Sequence, residues 1–179
     1  MASLLEQIET EAVALFPKRS SILVAVSGGL DSMALLFALN QVVSRNRWQL
    51  TVAHFNHKLR GYASNADQRL VESFAEQHKI NHISGAWSKD SKAIKEHGLE
   101  MAAREARYDF LKTEAQVRRC KFLATAHHAD DHVETVLMNL FRGSGRLTGI
   151  RRESKIVSNG VSIELLRPLL SVWRSDIDS

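Results

Sequence analysis

Ile22-Leu23-Val24-Ala25-Val26-Ser27-Gly28-Gly29-Leu30-Asp31-Ser32 is the stretch on which the fold turns. Its first five residues form an unbroken apolar run rich in β-branched side chains. Such a run suits a strand buried on both faces of a parallel sheet. A glycine turn follows, and from Met33 to about Val43 the apolar spacing becomes helical. Strand, tight turn and helix in that order open a βαβ unit.

Working outward, Leu4, Leu5, Ile8, Val13, Leu15 and Phe16 predict an amphipathic helix over 4–16, which Pro17 ends. Downstream, Leu50–Phe55 reads as a second strand, 56–65 as a polar loop, 66–78 as a helix and 80–86 as a weaker strand. A long helix is predicted over 99–118, a strand at Phe122–Ala126 and a helix from Asp130 to Phe141. This alternation predicts an α/β fold: a doubly wound, mostly parallel sheet with helices on both faces and right-handed crossovers. Beyond Gly149 the pattern changes. Lys155–Val157 and Val161–Leu165 flank Ser158-Asn159-Gly160, which predicts a C-terminal β-hairpin. Ligands of doubly wound sheets collect at the carboxyl ends of the strands. The loops after Val26, Phe55 and Ala126 therefore carry the functional information.

Composition narrows the classes. The chain has 179 residues, 44% hydrophobic and 25% charged, which fits one globular domain with a real core. Its net charge of +4 permits a polyanionic partner without demanding one. The single cysteine, Cys120, excludes an intrachain disulfide and a multi-cysteine cluster, and it reads as structural filler at a helix–strand junction. No basic leader precedes an apolar core at the N-terminus, and no apolar run is long enough to span a membrane. A cytoplasmic location is the expectation.

The turn itself carries chemistry. Gly28-Gly29 lets the backbone take positive φ and approach an anion closely. The helix that follows offers free N–H groups and the positive end of its dipole to the same point. Ser27 and Ser32 add hydroxyls. Asp31 would repel phosphate unless a cation lay between them, so it predicts a Mg²⁺ bridging Asp31 and the phosphates. Neither the spacing nor the lysine of a Walker A loop is present, and the dinucleotide fingerprint Gly-x-Gly-x-x-Gly is absent.

Ser27-Gly28-Gly29-Leu30-Asp31-Ser32 after a buried strand resembles the signature of the N-type ATP pyrophosphatases, the PP-loop superfamily with an adenine nucleotide alpha hydrolase-like fold. The resemblance implies that residues 27–32, Leu30 included, bind ATP, and that the α-phosphate is attacked with release of pyrophosphate. Further segments narrow it: His54–Gly61, Ala103-Arg104-Glu105-Ala106-Arg107-Tyr108, Ala124–Thr135 and Leu140–Gly145. With the loop they resemble the tRNA(Ile)-lysidine synthase family, from residue 27 to about 170. That family joins free lysine to C2 of the wobble cytidine in a tRNA(Ile) anticodon loop. The resemblance implies that 1–179 is the N-terminal catalytic domain and that the family's C-terminal tRNA-binding domains are absent from this chain; a homodimer stays open.

Asp131 and Glu134 lie at i, i+3 on a predicted helix and share a face. By resemblance they bind the lysine side-chain amine, and with Asp31 and Arg107 they form the expected catalytic set. The competing reading is a helix cap and a solvated acidic face. Arg104 and Arg107, also i, i+3, are expected to face ATP or tRNA, and Arg142 to contact tRNA phosphates with the basic loop that follows it. Surface ion pairs and a solvated loop are the alternatives. His54, His57, His127 and His128 lack the spacing of a zinc site and are expected to line the nucleotide pocket. His132 stands where the family often carries Gln. A tRNA thiolase of the same superfamily and a non-catalytic nucleotide-binding domain are the rival readings.

Overall fold

The computed structural model describes residues 3–59, 61–88, 91–143, 148–158 and 160–178. The elements follow in the order α1 (Leu4–Leu15), β1 (Ser21–Ala25), α2 (Leu30–Asn46), β2 (Gln49–Asn56), α3 (Tyr62–Gln77), β3 (Asn81–Ala86), α4 (Ser91–His97), α5 (Leu99–Val117), β4 (Phe122–Ala124), α6 (Ala129–Phe141), β5 (Glu153–Ser158), β6 (Val161–Leu166) and α7 (Arg174–Ile177). The strands form one six-stranded sheet ordered β3-β2-β1-β4-β6-β5. All neighbours are parallel except the β5–β6 pair. The doubly wound sheet and the C-terminal hairpin are both present as the sequence predicts. The hairpin's Asn159 lies outside the described residues, and Gly160 takes φ +76°.

β1 is buried on both faces because it lies between two cores. Ile22, Val24 and Val26 join the cluster built with α1 and α2, whereas Leu23 joins Ala53, Leu111, Ala115 and Leu123 on the α5 side. This is why its residues run apolar without alternation. The chain proceeds outward from β1 through β2 to β3, then returns to place β4 on β1's other side. That reversal creates a crevice at the carboxyl ends of β1 and β4, the usual ligand position in such sheets.

Local chemistry explains most boundaries. Ser3 and Glu6 form a reciprocal capping box at the start of α1, with Ser3 N–H donating to Glu6 Oε2 at 2.8 Å. α3 begins at Tyr62, four residues earlier than the periodicity predicts. A tertiary contact accounts for this: the Asn56 amide at the end of β2 donates to Asn65 Oδ1 at 3.0 Å and Gln68 Oε1 at 3.1 Å, tying the first turns of α3 to the sheet. α4 and α7 are short helices the sequence pattern does not announce. Cys120 is buried, and burial pushes its thiol pKa up, as befits a structural residue. No helix among the described residues is long and apolar enough to cross a membrane.

Candidate active site

The Ser27–Ser32 loop bridges the end of β1 and the start of α2, and it braces itself through one buried hydroxyl. Ser32 Oγ donates to Gly29 O at 2.8 Å and accepts the Ser27 N–H at 3.1 Å. Its single proton is thereby committed, so in the 3.1 Å contact between the two serine hydroxyls Ser27 is the donor. Ser27 Oγ in turn accepts the Gly29 N–H at 3.2 Å. Gly28 has φ +90°, while Gly29 is extended at −75° and serves as the N-cap of α2 without any side-chain capping bond. The first N–H groups of α2 therefore have no side chain satisfying them, which is the physical basis of an anion site.

Asp31, in the first turn of α2, has one buried oxygen, Oδ1, with no hydrogen-bond partner. No group of three His, Cys, Asp or Glu residues among the described ones forms a metal cage. A single carboxylate beside a phosphate cradle suits Mg²⁺, which keeps several waters and takes its other oxygens from substrate phosphates. Asp31 Oδ1 would be its protein ligand.

A cleft of about 360 Å³ opens at the crevice, lined by Ser27, Asp31 and Ser32 from the loop, His54–His57 and Leu59 around the end of β2, Arg107, Tyr108 and Leu111 from α5, and Thr125–His127 after β4. This is the size of a small-ligand pocket. Three of its histidines are held neutral. His54 Nδ1 donates to Val26 O at 2.9 Å, and burial lowers its pKa. Burial, then the Arg107 guanidinium, lowers that of His57. His127 is pushed down to about 4, first by burial and then by Arg167, against the opposing pull of Asp131. Its Nδ1 lies 3.0 Å from Thr125 Oγ1.

The structure separates the expected catalytic residues into two regions. Asp31 and Arg107 face the cleft, and Arg107 Nε is buried without a partner there. Arg104 and Arg107 both pack on the Tyr108 ring, each 5.3 Å from its centroid, but Arg104 is exposed and outside the cleft lining. Asp131 caps its own helix, accepting the His128 N–H at 2.9 Å through Oδ2. Glu134 instead opens onto a separate groove along α6, with Asp130, Val133, Leu137, Met138, Phe141 and Trp173. Arg142 is exposed at the C-cap of α6, and 144–147 of the basic loop lie outside the described residues. His132 has a local use: Nδ1 donates to Ile150 O at 2.9 Å, and its ring packs where Gly149 has no Cβ.

Two residues escaped the sequence reading. Arg167 is buried, donates from Nη1 to Arg151 O at 2.6 Å and Ser154 Oγ at 3.1 Å, and bears on His127. Arg174 contacts Asp31. Neither carries a local spacing or periodicity that shows which way its side chain turns.

Residues 3–179 match the PP-loop domain family. The chain belongs to the PP-loop domain family. The PP-loop chain is 40% identical over 171 residues to the tRNA(Ile)-lysidine synthase of Geobacter sulfurreducens, covering 92% of this chain and 34% of that protein. It is 39% identical over 152 residues to the enzyme of the same name from Enterococcus faecalis, covering 84% of this chain and 31% of that one. The chain thus spans about a third of the length of these curated relatives. Among solved structures, the U34-tRNA thiolase NcsA from Methanococcus maripaludis superposes with a TM-score of 0.71 at 16% identity, over 97% of this chain and 59% of that one. That likeness establishes a shared fold.

Proposed function

We propose that this PP-loop chain is the catalytic domain of an ATP-dependent tRNA(Ile)-lysidine synthase, working in a reducing, cytoplasmic compartment. The observation that carries the reading is the self-braced Ser27–Ser32 loop, uncapped at the N-terminus of α2 and opening on the crevice between β1 and β4. The relatives near 40% identity narrow it from ATP chemistry in general to lysidine formation.

ATP would place its β- and γ-phosphates on the loop, where backbone N–H groups and the helix dipole meet them. Bound Mg²⁺, held by Asp31, would neutralise phosphate charge and favour departure of pyrophosphate. An unstacked cytosine of the anticodon loop would enter above Thr125–His127. Its C2 oxygen attacks the α-phosphate, the bond to pyrophosphate breaks, and C2 becomes adenylated. Lysine then attacks C2 through its neutral ε-amine, and AMP leaves. Arg107 lies where a guanidinium can meet phosphate oxygens. His127, held neutral, can offer a hydrogen bond to a ligand in the cleft without adding charge. Asp131 and Glu134 lie on α6 outside the cleft lining, and from that side they would hold the incoming ammonium, one of them taking its proton.

The thiolase reading is weaker here. The only cysteine is Cys120, buried at the opposite end of the sheet, before β4 begins. Incubation with tRNA(Ile), ATP and lysine, followed by mass spectrometry of the nucleosides, tests the proposal. Lysidine with lysine-dependent AMP release is the expected result. A sulfur-containing nucleoside, or AMP release indifferent to lysine, would overturn it.

A further inference from the structure

The phosphate loop contains no lysine or arginine between Ser27 and Ser32, and Asp31 makes it more negative. A triphosphate binding there draws its cations from elsewhere in the fold: Arg107 lines the cleft, and the far end of the chain brings a second guanidinium to Asp31 from beside that lining. Arg174, the first residue of α7, places Nη1 2.8 Å from Asp31 Oδ2 across a separation of 143 residues.

The placement is built rather than incidental. Arg174 Nε donates to both carboxylate oxygens of Asp178, at 3.1 and 3.3 Å. Its backbone N–H donates to Asp130 Oδ2 at 2.8 Å, so the acid at the start of α6 fixes the start of α7. Ala129 N–H donates to Val172 O at 2.8 Å. Leu169, Val172 and Ile177, on either side of the arginine, are buried in the main core. The Arg174 side chain is 42% exposed. An ion pair that open adds little to stability, so fold stability alone gives no reason for this convergence. A guanidinium, however, is a planar fork of five donors that can hold a carboxylate on one edge and a phosphate on the other. Nη1 serves Asp31 and Nε serves Asp178, while Nη2 carries two further N–H groups.

We propose that Arg174 is a further nucleotide-binding residue, a cation that shares the polyphosphate with the N-terminus of α2 and keeps Asp31 oriented for the metal. With Oδ2 held by Arg174, the buried, unpartnered Oδ1 is the oxygen left to face Mg²⁺. The same contact links the loop to Asp130, and so joins the phosphate site to the helix that carries Asp131 and Glu134.

The inference rests on the reading of residues 27–32 as an ATP site. The test compares binding of ATP, inorganic pyrophosphate and adenosine, each with Mg²⁺, by calorimetry on the wild-type chain and on Arg174→Ala and Arg174→Lys. Loss of one charge-assisted contact should weaken ATP and pyrophosphate on the order of tenfold in Arg174→Ala and leave adenosine unchanged. Arg174→Lys should recover part of the loss, and thermal melting should show both variants folded. Unchanged ATP affinity in Arg174→Ala would overturn the inference, and tighter binding would make Arg174 a competitor of the metal for Asp31 and overturn it as well. If the wild-type chain bound neither ATP nor pyrophosphate, the site reading itself would fall, a result distinct from a wild type and variant that bind alike.

Discussion

Gly28 packs directly against Asp67 of α3: a Cβ built on the glycine would lie 2.6 Å from the Asp67 Cβ and 3.0 Å from its Cα and carbonyl oxygen. Two of those atoms are backbone, so the neighbour cannot step aside. Gly28 also holds φ +90°, where an L side chain is strained by roughly 1–3 kcal/mol. Gly28→Ala should therefore lower the melting temperature and weaken ATP binding together. A variant that melted with wild type and bound ATP normally would show that the loop does not need this close approach.

Ser32 separates bracing from ligand binding. Its hydroxyl is buried and engaged with Gly29 and Ser27. Ser32→Ala strands the Ser27 N–H and should cost about 1–3 kcal/mol, read by urea denaturation without nucleotide. Asp31→Ala should do the opposite: it keeps the fold and loses the Mg²⁺ dependence of ATP binding. If Asp31→Ala retained that dependence, the metal assignment would be wrong.

The histidine after β4 predicts a pH dependence with a defined sign. His127 titrates at about 4 in the folded chain, against the ordinary 6.5. Well above pH 6.5 it is neutral in both states and contributes no slope. Between 6.5 and 4 the unfolded chain binds a proton that the folded chain refuses, so stability falls as pH falls, by up to about 1.4 kcal/mol per unit. Below about 4 the loss levels off. Denaturation curves across this range should be shallower in pH for His127→Gln than for wild type; parallel curves would contradict the burial argument.

Asp131 and Glu134 should part company under mutation. Asp131 caps α6 through the His128 N–H, so Asp131→Ala should cost about 1 kcal/mol of stability and raise the KM for lysine. Glu134 is exposed, and Glu134→Ala should raise the KM for lysine with stability unchanged. Normal lysine kinetics in both variants would reduce the pair to a cap and a solvated face.

What could be read in the sequence was local. The strand–loop–helix at 21–46 announces itself because burial on both faces, positive φ and an anion-binding helix start each leave a mark on neighbouring residues. The Asn-Gly hairpin did the same. α4 left no mark because none of its residues is buried, and α3 began early because Asn56 reaches it from another element. The site divides along the same line. Residues 27–32 were legible, but the contact from Arg174 to Asp31 spans 143 residues, and the use of Asp130 on α7 rather than α6 depends on where the chain returns. Neither relation has a period or a spacing to detect.

The strand order has a further consequence for how the chain comes to be folded. Ile22 pairs with Leu50 on one side and with Phe122 on the other. During synthesis β1, β2 and β3 can assemble early, while the other flank of β1 waits for β4. Until then an apolar strand presents open backbone donors and acceptors to anything nearby, the situation that invites strand addition between chains. Nascent or proteolysed forms that stop short of β4 should therefore aggregate, although in the finished protein β4 pairs with Ile22–Val24 on that flank.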